Sequence, residues 1–540
     1  MRHFQSQCVC AFILLITCLI ILPIQTIPSN KAKRLKCKFC RNIKVAKSQA
    51  NILKLLDKPI PEPENSIYNV HLDKASVLGS IDERFISFAV DAIEMKRGWR
   101  CFPMESKILH TLISGLSPAY FRIGGTAQDF VTFKGQYDGN LDNVYQEIND
   151  ISESTTNCTP RFISYKYQTP FVTDMLVFDD ILKFSHSVDG IQFIYGLNGR
   201  KRNADGSWDA TNAELLISHV IKKGYNVWWE LGNEPNRYGK YGTEYKVSGS
   251  QLAKDFEKLK KIAGKNAITL GPDVTRPKKS SLMYLHDFIR SQPDVHALTY
   301  HQYYINQAYA RLDDYVNPLL LDNFAKQIRS VLGVIKYANH STPLWLGETG
   351  SSSGGGKKGL SDTYVAGFLY LDKLGLAANH DHKVVIRQSF YGGYYGMLDP
   401  VTRDPLPDYW SALLFKQLVG RKVLKTTVTH THLRVYAFCS KDMSGDIVLL
   451  VISLHKKQTV TVNLDTSFGS NDLIQYLLEP GGGDLQSKYV YLNKKLLKLT
   501  DDGQLPKLDG ELLEQPIRIP PLRYGFYVVR DAKFHLCMSV

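Results

Sequence analysis

A chain of 540 residues with 44% hydrophobic and 22% charged residues has the material for a large core. It is neither disordered nor collagenous, and it is too long for one small domain. Its formal charge of +14 points to an anionic partner, but eight cations (Lys31, Lys33, Arg34, Lys36, Lys38, Arg41, Lys44 and Lys47) crowd into residues 31–47 with no acid among them, so the excess reads mainly as a solvated tail. No nucleic-acid motif or basic recognition helix accompanies the charge, which argues against a nucleic-acid partner.

The chain begins with Arg2 and His3, an apolar run from Cys10 to Pro23, and small and polar residues towards Ser29. That is the build of a secretory signal, taken as residues 1–27, and the run is shorter than the ~20 residues a spanning helix needs. A secreted protein of the extracellular matrix or the lysosome is expected, with no stable membrane span. Residues 28–65 form the basic tail. After signal removal six cysteines remain (Cys37, Cys40, Cys101, Cys158, Cys439 and Cys537), and the secretory compartment permits disulfides. The lone Cys37-x-x-Cys40 lacks a second pair of ligands at metal spacing, so neither a metal nor a cofactor is implied. Asn157 and Asn339 stand in glycosylation sequons.

Residues 66–81 alternate like a strand that would join a later sheet. From Arg84 to Trp410 one unit recurs, a short β-branched or aromatic run followed by a helix-period stretch. The predicted strands are Phe85–Asp91, Tyr120–Gly124, Ile191–Leu197, Val227–Leu231, Ala267–Gly271, Ala297–His301, Leu344–Glu348 and Val384–Phe390. Helices are predicted over Gln251–Ala263, Pro318–Tyr337 and Leu360–Leu376. Eight such units specify an α/β fold, a (β/α)₈ barrel over residues 82–420. A polar stretch without periodicity, 134–170, reads as an insertion. After Lys422 alternating strands take over (Leu433–Cys439, Asp446–Leu454, Thr459–Leu464, Tyr489–Leu492 and Tyr524–Arg530), and residues 421–540 read as a β-sandwich. Cys439 and Cys537 flank that domain and are expected to pair; a Cys101–Cys158 bridge is the second candidate.

In this barrel, chemistry sits where strands end on the C-terminal face. Two glutamates do so in distinctive company: Asn233-Glu234-Pro235 after the fourth strand and Leu346-Gly347-Glu348-Thr349 at the seventh. Taken alone, Asn-Glu-Pro is an ordinary loop start. Paired across a barrel mouth, two carboxyls suit cleavage of a glycosidic bond with retention, one donating a proton and the other attacking the anomeric carbon. Their surroundings are expected to push the two pKa values apart. Glu230, inside the fourth strand, reads as structural. Arg276, Lys278 and Lys279 after the fifth strand, and Lys357 with Lys358 beside Gly354-Gly355-Gly356, would offer cations to an anionic chain at the cleft mouth.

The strings Trp229 to Asn236, Gly271-Pro272-Asp273-Val274, Gly115 to Tyr120, Gly124-Gly125-Thr126, Leu360 to Thr363, Leu371 to Leu376 and Asp404 to Trp410 resemble the heparanase family over roughly residues 80–540. The resemblance implies a retaining endo-β-glucuronidase that cuts heparan sulfate and associates peripherally with cell-surface proteoglycans. It places the acid/base on Glu234, the nucleophile on Glu348, and substrate contacts on Asp91, Thr126, Asn233, His301, Tyr303, Gly354, Gly355 and Gln388, with Tyr303 orienting the nucleophile. The chain departs from the family pattern at Ile93, Ala308 and Arg276-Pro277-Lys278, and the family's tyrosine after strand eight aligns with either Tyr394 or Tyr395. Residues 134–167 stand where the family carries an excised linker, but they are shorter and lack its basic exit, so an active single chain is expected. Two other readings share these residues: an exo-β-glucuronidase, and a silent heparan-sulfate-binding protein, from which the intact Gly347-Glu348 segment separates this chain.

Overall fold

The computed structural model describes residues 61, 63–134, 169–239, 245–427, 431–441, 444–465, 468 and 471–538. The signal, most of the basic tail, Asn157, Cys158 and most of the insertion lie outside the described residues.

Eight parallel strands close into a barrel: Ile86–Asp91, Ala119–Gly124, Ile191–Leu197, Val227–Leu231, Thr269–Val274, Ala297–Asn306, Leu344–Ser353 and His382–Tyr391. Each pairs with its neighbour in chain order and the eighth pairs with the first, as the repeated unit predicts. The strands are buried on both faces, the pattern of a parallel sheet covered by helices, which explains their continuous apolar runs. A core of Ala89, Tyr120, Ile194, Leu270, Ala297, Trp345, Val384 and Ile386 plugs the interior. Helices follow the strands and start on local chemistry. Asp174, Ser248 and Asn317 accept hydrogen bonds from the first-turn amides of Leu176, Gln251 and Leu319, and Pro318 and Pro407 occupy first-turn positions where a missing N–H costs nothing.

One helix departs from expectation. The predicted Leu360–Leu376 is observed as Ala366–Asn379, because residues before Val365 form turns in which Ser361 Oγ and Asp362 Oδ1 accept from the backbone of Lys357 and Gly359. Almost every residue of this helix is buried. It lies between the barrel and the second domain: Tyr436 donates to Asp372 at 2.6 Å, and the Tyr364 and Tyr524 rings stack at 4.5 Å. A helix enclosed on all sides lacks the amphipathic stripe that marks helix ends in sequence.

The second domain is a two-layered sheet. Strand Ile67–Ser80 pairs through its first residues with Val460–Leu464 and through its last with Val419–Thr427, so it belongs to both layers. Between the layers Val70, Leu424, Leu449, Val451, Val462 and Ile519 form a closed core. Cys439 and Cys537 are bonded across 98 residues with Cα atoms 5.3 Å apart; Cys101 is also disulfide-bonded. Because the 439–537 bridge restrains the unfolded chain, Cys439→Ser/Cys537→Ser is expected to lose ~2–4 kcal/mol of unfolding free energy. Chemical denaturation checks this, and an unchanged midpoint would contradict it.

Candidate active site

The fourth strand stops at Leu231, and Glu234 takes φ +50, ψ +51 before the tight turn Pro235–Arg237. Left-handed backbone at a non-glycine residue is uncommon and clusters at functional positions. It lies beyond the strand at the barrel mouth. Glu348 lies within the seventh strand, 8% exposed.

Arg122 from the second strand, fully buried, joins the carboxylates across the barrel. Its Nε donates to Glu230 at 2.7 Å, Nη1 to Glu348 Oε2 at 3.0 Å, and Nη2 lies 3.6 Å from Asp273. Tyr303 in the sixth strand donates to the other oxygen of Glu348 at 2.8 Å. Both oxygens of Glu348 are therefore held. His301, two residues earlier and fully buried, has Nδ1 3.5 Å from Glu234 and 3.9 Å from Glu348, and Nε2 3.4 Å from Asp273. Arg237 Nη1 lies 2.7 Å from Glu234 Oε2.

These contacts decide where protons rest. Burial would raise the Glu234 carboxyl, but His301 and the Arg237 charge outweigh it and hold the group down at about 2. Burial would lower His301, but the charge of Glu348 and the neighbouring Asp273 and Glu234 lift it to about 10. In the free site the balance therefore favours the proton on His301, beside an ionised Glu234. Removing Arg237 removes a positive charge that favours ionised Glu234, so the carboxyl rises and stays protonated to higher pH. In Arg237→Ala the basic limb of the kcat/KM profile is expected to move alkaline by about one pH unit, the effect of one nearby opposite charge. A limb that stays put or moves to acid contradicts this.

The remaining expected contacts divide into two groups. Asp91 ends the first strand and burial pushes it up to about 7, against its hydrogen bond from Ile93 N–H. Gly125 makes room for it: at φ +84, a Cβ there would lie 2.5 Å from Asp91 Oδ2 and 3.4 Å from Gln388 Nε2. Asp91 and Gln388 thus face one wall, with Thr126 half-buried next to Gly125. Asn233 is buried, its N–H donating to Asp129. Gly354 and Gly355 take φ +90 and +93, open to glycine without strain. Arg276 is half-buried with Nη1 on the Tyr304 carbonyl, and Lys278 is exposed at the start of the helix Lys279–Arg290. Of the two tyrosines after the eighth strand, Tyr395 packs on Tyr303, with ring centroids 6.2 Å apart.

Sequence reasoning missed Arg122, Asp273, Arg237 and Lys373. Lys373 is buried behind the nucleophile strand, its Nζ donating to Thr349 Oγ1 and the Gly350 carbonyl. A charge inside a fully buried strand, as at Arg122, is the signal that could have found the first of them.

Paired carboxyls at the C-terminal mouth of a (β/α)₈ barrel, one gripped at both oxygens, define a barrel glycoside hydrolase. The model of glycosyl hydrolase family 79, N-terminal domain, matches residues 100–375. The heparanase of Gallus gallus is 35% identical over 526 residues, 90% of this chain and 100% of that one. The hyaluronoglucuronidase of Hirudo nipponia is 34% identical over 87% and 99% of the two chains, and inactive heparanase-2 of Homo sapiens 31% over 89% and 91%. The chain belongs to glycosyl hydrolase family 79.

Proposed function

We propose that this protein is a retaining endo-β-glucuronidase that cuts heparan sulfate, with Glu348 as nucleophile and Glu234 as acid/base. Relatives of similar identity carry names with different activities, and one is named inactive, so identity alone does not choose among them. The observation that carries the reading is the grip on Glu348 by Tyr303 and Arg122, with Glu234 close enough that one nitrogen of His301 reaches both carboxyls. A pair sharing one imidazole suits the short separation of retaining enzymes, ~5–5.5 Å, better than the wider gap that admits a water. A protein that only binds has no use for a nucleophile restrained at both oxygens.

In the first step Glu348 attacks the anomeric carbon, the glycosidic C–O bond breaks, and its oxygen takes from Glu234 a proton that His301 alongside has supplied, which leaves Glu234 ionised and His301 neutral. In the second, Glu234 removes a proton from water, which attacks the glycosyl ester and frees Glu348. Burial and the charge of Glu348 keep the Tyr303 phenol protonated, so it remains a donor throughout. Asp91 and Gln388 would hold the hydroxyls of the sugar, and the Gly354-Gly355 backbone its carboxylate.

The test is incubation of size-defined heparan sulfate and hyaluronan with the purified protein, followed by product sizing. Internal fragments from heparan sulfate are expected; single glucuronate release means exo action, and cleavage of hyaluronan alone reassigns the substrate. We also place the enzyme in the secretory pathway, in matrix or lysosome, on residues 1–27. Recovery from culture medium with an N-terminus beyond the signal, and a mass shift on deglycosylation at exposed Asn339, check that placement.

A further inference from the structure

Glu234 can pass a proton to the leaving sugar only while its carboxyl stays aimed. Yet it stands on left-handed backbone, φ +50, ψ +51, of the kind that persists only where the surroundings hold it. Two ties come from its own turn: the Arg237 N–H donates to the Glu234 carbonyl at 2.8 Å, and the Arg237 guanidinium reaches the carboxylate. Neither fixes the turn to the barrel. Asn236, in the middle of the turn, exchanges hydrogen bonds with Thr275 beyond the fifth strand. The two ends are held from the other side, by a residue the chemistry does not use.

That residue is Asp129, buried in the short turn Thr126–Phe130 after the second strand. One of its oxygens accepts from the Gly199 N–H at 3.1 Å and the other from the Asn233 N–H at 3.1 Å. The Tyr238 hydroxyl, 2.7 Å from each, donates between them. Asp129 thus grips the residue before Glu234 and the residue that closes its turn, and ties both to the loop after the third strand. The backbone leaves space for this contact: a Cβ on Gly232 would lie 2.6 Å from the Tyr238 hydroxyl oxygen, and one on Gly199 3.1 Å from it. The turn that carries Asp129 is itself anchored, since Gln128 donates to the Leu197 carbonyl through room that Gly196 leaves open. Burial pushes the Asp129 carboxyl up to about 7, against the bonds it accepts. The grip holds in either state. A protonated Asp129 can donate to the Tyr238 oxygen, which accepts as well as donates, while both backbone N–H groups keep their acceptors.

Resting on the glycosidase reading above and deepening it, we propose that Asp129 is a positioning residue for the acid/base, holding Glu234 at the leaving oxygen through Asn233 and Tyr238. It touches no substrate and moves no proton of the reaction. Without it the Glu234 carboxyl drifts from the glycosidic oxygen and from His301, while Glu348, held by Arg122 and Tyr303, stays in place.

Asp129→Leu keeps the approximate volume and removes both acceptors; Tyr238→Phe, which takes only a hydroxyl from a packed ring, decides if the first variant fails to fold. Each is compared with the parent on a heparan octasaccharide, whose leaving sugar needs a proton, and on dinitrophenyl β-glucuronide, whose leaving group does not. On the octasaccharide kcat is expected to fall roughly 10–100-fold in Asp129→Leu and about threefold or more in Tyr238→Phe, with KM little changed, the scale of a group displaced by about 1 Å. The burst of dinitrophenolate, which reports attack by Glu348, is expected to keep its rate within about twofold. Loss of packing alone slows both substrates alike, so equal falls overturn the proposal, as do unchanged rates on both. A second readout needs no substrate. Burial would lower His301, but Glu348, Asp273 and Glu234 lift it to about 10, so a Glu234 that drifts away lets it fall. In Tyr238→Phe, which changes no charge, the His301 titration followed by NMR is expected to move down by about half a pH unit or more. If the parent cleaves neither substrate, the glycosidase reading fails and this titration decides: a lowered His301 supports the positioning role, an unmoved one overturns it.

Discussion

Glu348→Gln is expected to lower kcat by roughly 10⁴–10⁶-fold, the scale seen when a group that forms the covalent intermediate is deleted. Glutamine matches the shape and can still meet Tyr303 and Arg122, so the fold should survive while no glycosyl ester forms. Glu234→Gln acts on a different step. Its loss is expected to be about 10²–10⁴-fold on the natural chain, the range for general acid catalysis, and far smaller on an aryl glucuronide whose leaving group needs no proton. With that substrate the ester forms faster than water removes it, so a burst should precede slow turnover. The two variants thus differ in kind, and single-turnover and burst kinetics separate them. Wild-type turnover of heparan sulfate by both variants would remove the assignment.

The barrel was legible because its strands are short, β-branched or aromatic and buried, so each appears as an apolar run between turns. Boundaries blurred where side-chain pattern and backbone disagree. The fifth strand runs Thr269–Val274 and includes Pro272, a residue that argues against strand by its missing N–H. Strand Leu473–Pro480 was not anticipated because its burial does not alternate, and Val419–Thr427 follows a helix with no intervening turn. The dyad could be read from its position at strand ends with the resemblance behind it. Its electrostatic setting could not: Arg122 meets Glu230 across 108 residues and Glu348 across 226, and only closure of the barrel brings them together. The depressed Glu234 likewise depends on where Arg237 folds back, although the i,i+3 spacing across Pro235 was visible.

Arg122→Met is expected to cost about 3–5 kcal/mol of unfolding free energy, because it breaks a buried charge network from one side. Methionine replaces the volume but leaves Glu230, Asp273 and Glu348 facing one another with no guanidinium between them, and His301 offsets part of their charge. Glu230 is already raised by burial, with Arg122 acting against that rise; without Arg122 the carboxyls rise further above their unfolded values. A carboxyl whose folded pKa is raised adds stability that is complete below its unfolded pKa, ~4, and is lost as pH climbs through the folded value. The deficit of the variant should therefore be smaller at pH 5 than at pH 8, where a buried cluster of anions must either ionise or hold protons against the solvent. Arg122→Lys separates charge from geometry: an ammonium restores part of the stability but not the forked contact to Glu230 and Glu348, so its kcat should remain depressed while its denaturation midpoint recovers. Urea denaturation of the three proteins at both pH values is the measurement. A loss within the ±0.5 kcal/mol typical of surface changes, or a deficit that grows towards acid, would show that Arg122 does not hold the carboxyl cluster together.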